Sequence, residues 1–305
     1  ENPRIEGRVM YYPELEPESG DRFVDIIRRE YASGDGLDIE VRYGEGLKER
    51  RVRRLVEVRP EETEAIRLIK SGGVYWITGG FGGLGGVFAN HLSKTEGVKL
   101  VLSGRSELDD KKQKTLDTFR QQGISIDYIP CDISKRKAVT DAYKEIKEKY
   151  GRIDGVIHSA GVIRDAFILK KTSDQIREVF SSKVRGALNL DAVIGGEELD
   201  FMVFFSSVAG VLGNIGQSDY AGANAFLDAF AAYRQREVEA GRRHGRTISI
   251  AWPLWRDGGM RVDEQMERMM KEMSGMVPLE TEVGIEAFER ILMTGYGHVM
   301  VAEGE

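Results

Sequence analysis

Three stretches carry residue types whose spacing could do chemistry. The first is Thr78-Gly79-Gly80-Phe81-Gly82-Gly83-Leu84-Gly85, set between an apolar, strand-like run and a helix-like run that continues to about Lys94. Glycines in a strand-to-helix turn let the backbone fold tightly and approach a pyrophosphate, which then rests on the helix N-terminus. The second is Gly104-Arg105-Ser106, which ends the next strand-like run at roughly twenty residues past the glycines. An acid there would take a ribose 2′-hydroxyl. Arg105 and Ser106 suit a 2′-phosphate instead, which indicates NADPH. The third stretch, residues 201–230, reads FMVFFSSVAGVLGNIGQSDYAGANAFLDAF: an apolar strand, a glycine-punctuated loop, then a helix from about Gln217. It places Ser207 at the mouth of the loop and sets Tyr220 and Asn224 one turn apart on one helix face.

These residues need a frame to position them. Residues 74–78, 99–103, 124–130, 153–158 and 247–251 read as short apolar strands. Helices are expected over 107–121, 134–150 and 173–193, from the central stretch to about 240, and over 280–293, with a last strand at 298–302. Alternating strands and helices predict an α/β fold, a doubly wound, mostly parallel sheet. Residues 257–275, rich in Met (Met260, Met266, Met269, Met270, Met273), read either as a lid helix or as core. His158 lies inside a strand motif and reads as structural. Cys131 reads as pocket wall. Arg242, Arg243 and Arg246 suit a helix C-terminus. Asp132, in Cys131-Asp132-Ile133, is placed to cap the helix expected from Ser134.

Residues 1–72 differ in character. Pro3, Pro13 and Pro17 make the start irregular; a helix is expected over 21–32, strands over 37–43 and 51–59, and a linking helix over 60–70. The expected division is a small structural subdomain and linker over 1–72, then a nucleotide-binding domain over 73–305. The segment 1–72 has no phosphate loop and is too small to bind a nucleotide by itself. At 305 residues and 41% hydrophobic, the chain can bury a sizeable core. A formal charge of −6 gives no basic footprint for nucleic acid. No run of eighteen apolar residues predicts a membrane span, and no secretory signal is visible. One cysteine suits a reducing, cytoplasmic setting, and no cluster has metal-ligand spacing. The start at Glu1, without an initiator Met, suggests a piece of a longer polypeptide.

Ser207, Tyr220 thirteen positions on, and Asn224 together resemble the short-chain dehydrogenase/reductase superfamily. Most members have Lys four residues after the Tyr. An Asn there, followed by AFLDAF, is similar to the ketoreductase domain of bacterial modular polyketide synthases, of the trans-acyltransferase kind. In that branch the active-site Lys lies one helix earlier, which points to Lys183 in KVRGALNLD. The resemblance covers roughly residue 74 to the C-terminus and implies a Rossmann-type sheet preceded by a truncated α/β structural subdomain. It implies that Tyr220 donates a proton, Ser207 holds the carbonyl oxygen, Lys183 lowers the phenol pKa, and Asn224 orients Lys183 and the cofactor ribose. It adds Asp132, Ile133, Ser159, Ala160 and Gly161 to the glycine turn and Arg105-Ser106 as cofactor contacts.

Val162-Ile163-Arg164-Asp165 stands where B-type ketoreductases carry Leu-Asp-Asp, so Asp165 alone is retained, and Leu212 stands where A-type enzymes carry Trp. Both signs imply a D-configured hydroxyl, with Gln217 also beside the substrate. Gly222 stands where epimerising B-type enzymes tend to have Pro, which implies no epimerisation. The implied partners are an acyl carrier protein, whose pantetheine arm presents a β-ketoacyl chain, and neighbouring synthase domains. Two other readings remain: a reductase-like scaffold or docking domain without turnover, and a free-standing reductase of small ketones.

Overall fold

Runs such as Val74-Tyr75-Trp76-Ile77 and Phe201-Met202-Val203-Phe204-Phe205 have no polar face. A strand built from them must be covered on both sides, as in a parallel sheet flanked by helices. That is what forms. The structure, a computed structural model, describes residues 9–12, 20–32, 40–58, 68–259 and 264–304, in two units, Glu1–Arg59 and Pro60–Glu305.

The first unit holds β1 (Val9–Tyr11), α1 (Gly20–Ala32), β2 (Glu40–Tyr43) and β3 (Arg50–Val52). β1 pairs parallel and β3 antiparallel with β2. α1 buries Ile26, and its Glu30 carboxylate accepts from Tyr43 Oη at 2.5 Å and from Arg50 at 2.6 and 3.1 Å, pinning helix to sheet. The strand expected over 51–59 is much shorter. β2 offers only four residues to pair with, and beyond Val52 Arg53 reaches back to Glu40, its N–H to the carbonyl at 3.2 Å and its guanidinium to the carboxylate at 3.0 Å. Leu55 and Val56 are exposed. Pro3, Pro13 and Pro17, residues 37–39 of the other expected strand, and residues 60–67 of the expected linking helix lie outside the described residues.

The second unit contains β4 (Val74–Thr78), α2 (Gly83–Leu92), β5 (Lys99–Gly104), α3 (Asp110–Gln121), β6 (Ser125–Pro130), α4 (Arg136–Tyr150) and β7 (Gly155–His158). There follow α5 (Ser173–Phe180), α6 (Gly186–Ile194), β8 (Phe201–Ser207), α7 (Val208–Leu212), α8 (Ser218–Glu239), β9 (Arg246–Trp252), α9 (Glu264–Ser274), α10 (Thr281–Met293) and β10 (His298–Met300). Among the described residues the sheet order is β10-β9-β8-β7-β4-β5-β6, with every pairing parallel. Strand order reverses between β4 and β7, the place where doubly wound sheets open a ligand crevice beyond their carboxyl ends.

Alternating side chains build two cores. Tyr75, Ile77, Val203, Phe205 and Trp252 pack on one face with Phe88 of α2 and Phe288 of α10. Val74, Trp76, Met202 and Phe204 pack on the other with Leu227 and Phe230 of α8. Strand ends differ from the sequence expectation by one or two residues. Three larger differences bear on the site. The helix expected over 173–193 is α5 and α6 joined by a π turn, Ser181–Arg185, which adds a residue to the winding and still leaves Lys183, Ala187 and Leu190 buried. The loop after β8 contains a one-turn helix, α7. α4 starts at Arg136, because Asp132 folds back onto Ser134 instead of capping a helix there. Residues 260–263 and the side chains of Met266, Met269 and Met273 lie outside the described residues, and with them the lid-or-core alternative. No helix of the described residues is long and apolar enough to cross a membrane.

Candidate active site

β8 delivers Ser207 to the carboxyl edge of the sheet, where it caps α7: its Oγ accepts the Ala209 N–H at 3.2 Å. α7 then lies against α8 so closely that a Cβ on Gly210 would meet Asn224 Cβ at 2.8 Å. The first turns of α8 put Tyr220 and Asn224 on its buried side. Asn224 Nδ2 donates to the Tyr220 carbonyl at 2.8 Å, whereas its Oδ1 is buried with no hydrogen-bond partner among the described residues. From the π turn, Lys183 passes Gly161, where a Cβ would stand 3.1 Å from Lys183 Cε. Its Nζ donates to the Phe205 carbonyl at 2.9 Å and stands 5.4 Å from the centroid of the Tyr220 ring. Lys183 and Tyr220 thus meet directly, while Asn224 spends its amide N–H₂ on its own helix.

Burial governs the charges. It lowers the Lys183 pKa from 10.5 to about 8, opposed by the negative charge of Asp228. Burial likewise raises Tyr220 above its ordinary value of 10, with Ser207 and Asn224 pulling back and Asp165 adding to the rise. The lowered phenol expected from Lys183 is therefore not found. The ammonium lies over the ring and is bound to the Phe205 carbonyl. Near neutrality Tyr220 keeps its proton and Lys183 its charge, which equips this pair to give a proton away. His158, paired with Thr78 Oγ1 at 2.8 Å, is pushed down to about 3 by burial first and by Lys183 second. It stays neutral and acts as packing. Cys131 is buried and pushed up to about 11 by burial, then by Asp132 and Asp141, which suits its reading as wall.

The glycine turn begins at Gly79, in the left-handed region at φ +70°, where a Cβ would also lie 2.8 Å from Ala160 Cα. Gly79 and Gly80 N–H groups are held by the Ser103 carbonyl, and Gly82 N–H by that of Gly79. Gly82 caps α2 without a side-chain acceptor, so no side chain of the cap occupies the helix N-terminus, the kind of end that favours an anion. Leu84 follows in its first turn. Across the crevice Ser159 Oγ donates to the Thr78 carbonyl at 2.7 Å. The turn after Trp255 closes on the same point: a Cβ on Gly83 would fall 2.0 Å from the Gly258 carbonyl oxygen.

Asp132 accepts from Ser134 N and Oγ at 3.1 and 2.7 Å, and Ile133 is buried beside Gly186. The Arg105 guanidinium is 3.6 Å from Glu178, which Arg164 grips with two bonds of 2.8 Å. Ser106 Oγ accepts from Lys112 Nζ at 2.9 Å. The glycine turn at the start of α2 and the orphaned Asn224 Oδ1 fit a nicotinamide dinucleotide. Glu178 and Lys112 escape sequence reasoning because each sits in a charged helix where a solvated side chain is the ordinary expectation.

Of the residues expected beside the substrate, Gln217 Nε2 donates to Asp165 Oδ2 at 3.0 Å, so the two meet, and Leu212 is exposed at the end of α7. Among the described residues no group of three or more His, Cys, Asp or Glu could hold a metal ion.

Comparison with known proteins places this geometry. Polyketide synthase PksL of Bacillus subtilis (strain 168) is 40% identical over 307 residues, a match spanning all of this chain and 7% of that protein. The crystal structure of a ketoreductase domain from the bacillaene assembly line matches with a TM-score of 0.87 at 38% identity, over 98% of this chain and 70% of that one. An N-terminal ketoreductase from the macrolactin assembly line matches at 0.79 and 33%, over 97% of this chain and 56% of that one. The KR domain profile matches residues 73–257, and the chain belongs to that family of polyketide synthase ketoreductase domains.

Proposed function

We propose that this chain uses NADPH to reduce a β-keto group on an acyl chain borne by an acyl carrier protein, within a larger synthase. The product is a D-configured hydroxyl, formed without epimerisation. The observation that carries the reading is the convergence of Lys183 on the Tyr220 ring beside Ser207, on the crevice side of the glycine turn. The glycine turn, Arg105 and Ser106, and Asp132, Ile133 and Ser159–Gly161 would hold NADPH, which would supply the hydride. Every other step belongs to the chain. Ser207 donates a hydrogen bond to the ketone oxygen and polarises it. Tyr220, protonated at rest, gives its proton to that oxygen as charge develops. Lys183 stabilises the phenolate left behind. Asn224 turns its free Oδ1 toward the ribose or the Lys183 ammonium.

Arg105 supports NADPH over NADH, because a guanidinium fits a phosphate and repels nothing there. Asp165, bound to Gln217, and the small, exposed Leu212 support the B-type product. Gly222 in place of Pro supports retention of the α-centre. The test is nicotinamide consumption with a β-ketoacyl pantetheine thioester, followed by chiral analysis of the alcohol. A D-hydroxy product that disappears in Tyr220→Phe is expected, and that variant should lose roughly 10²–10⁴-fold in turnover. An L-product overturns the stereochemical reading alone. NADPH binding without consumption overturns the reductase reading.

A further inference from the structure

The segment before α5 carries its apolar side chains outward: Phe167, Ile168 and Leu169 are exposed, Leu169 at 96%. Val162 and Ile163 pack against the buried cluster that includes Tyr220, but beyond them polar anchors hold the loop. Ala166 N–H donates to the Gly216 carbonyl at 3.0 Å, and Gln217 holds Asp165. The strongest anchor is Lys171. Its side chain is 1% exposed and its Nζ lies 2.8 Å from Asp219 Oδ1, itself 2% exposed. The same ammonium donates to the Arg164 carbonyl at 2.5 Å. Asp219 Oδ1 also accepts the Tyr220 N–H at 2.8 Å. One carboxylate oxygen therefore ties the loop bearing Asp165 to the residue that bears the phenol.

An ion pair buried this deeply costs desolvation and adds little net stability, whereas it does fix geometry, because its partners tolerate few other arrangements. We propose that Lys171 and Asp219 are positioning residues that hold the Asp165 loop in register with Tyr220, and so set which face of the ketone meets the hydride. The inference rests on the reductase reading for its substrate, but not for the anchoring itself. With the ammonium gone, Arg164 and Asp165 can shift relative to the phenol, and the ketone can present either face. The glycine turn that would seat the pyrophosphate is carried by β4 and α2, not by this loop.

The test compares Lys171→Met, the charge-free double variant Lys171→Met/Asp219→Asn, and Lys170→Met as a control at an exposed neighbour. The double variant keeps an acceptor for the Tyr220 N–H and leaves no buried charge alone, so it folds where the single variant fails. The ratio of the two alcohols should fall about tenfold in the double variant, with the NADPH dissociation constant within about twofold of the parent. The control should match the parent. Hydrogen exchange at the Ala166 amide should speed up about tenfold in the double variant, and this readout needs no turnover. An unchanged alcohol ratio with unchanged Ala166 exchange in a folded variant overturns the proposal. So does failure of both Lys171 variants to fold, which would make the pair a stability element. Faster Ala166 exchange in a protein that reduces no ketone would uphold the anchoring and refute the function it serves.

Discussion

Replacing Lys183 by Met should destroy turnover and stabilise the fold. The magnitude follows from its burial. The folded protein holds the ammonium at a pKa of about 8 against 10.5 for a solvated lysine, which amounts to about 3 kcal/mol of disfavoured charge at neutrality. Met fills the same stem volume beside Gly161 but leaves the Phe205 carbonyl without its donor, a loss of about 1 kcal/mol. The net gain is about 2 kcal/mol, or about 5 °C in melting temperature.

The pH dependence identifies the source. Between about 8 and 10.5 the unfolded chain holds a proton on Lys183 that the folded chain has released. Stability of the parent therefore rises with pH across that window. The variant lacks this term, so its advantage is full below about 8, is lost within that window, and turns into a deficit of about 1 kcal/mol above 10.5. Urea denaturation of both proteins across this range, followed by fluorescence of the buried Trp76, Trp252 and Trp255, measures it. A variant less stable than the parent near neutrality, or an advantage that does not change with pH, would refute the argument. Turnover should fall by roughly 10²-fold or more, because the phenolate left by Tyr220 loses its cation.

Arg105→Ala should weaken NADPH binding about tenfold or more while leaving NADH binding as it was, and Glu178→Gln should tighten NADPH binding several-fold by removing a competing carboxylate at 3.6 Å; fluorescence titration reads both. Gly85→Ala would drive a Cβ to 2.2 Å from the Gly79 carbonyl oxygen, so the turn must open. Cofactor affinity should drop at least about tenfold and stability by about 1–3 kcal/mol, seen in titration and urea melts; a tight-binding variant would mean the turn does not seat the pyrophosphate. Cys131, with its pKa near 11, should stay unreactive toward a thiol reagent near neutrality until the protein is unfolded, and rapid labelling of the native protein would contradict its burial.

Much of the site was legible in residue order because it is local. A strand, a glycine turn and a helix declare themselves within ten residues, and a one-turn spacing fixes Tyr220 and Asn224 to one face whatever surrounds them. Runs that are apolar at every position could only become strands covered on both faces, so the parallel sheet was implied as well. The family resemblance supplied Lys183, which helical pattern alone would have left in solvent. The expected strand over 51–59 failed for the opposite reason, since strand length depends on a partner that pattern does not show.

Only the tertiary structure decided what stands beside what, and in which charge state. The π turn and the crossing of α8 over β8 bring Lys183 onto the Tyr220 ring, yet aim its ammonium at the Phe205 carbonyl. Lys171 and Asp219, Arg105 and Glu178, and Asp165 and Gln217 each meet across distant parts of the chain, and no local periodicity links them. Depth of burial set the pKa directions and reversed the one expected for Tyr220. Local spacing is a property of the backbone geometry every residue shares. Desolvation and long-range pairing exist only once the chain has folded around them.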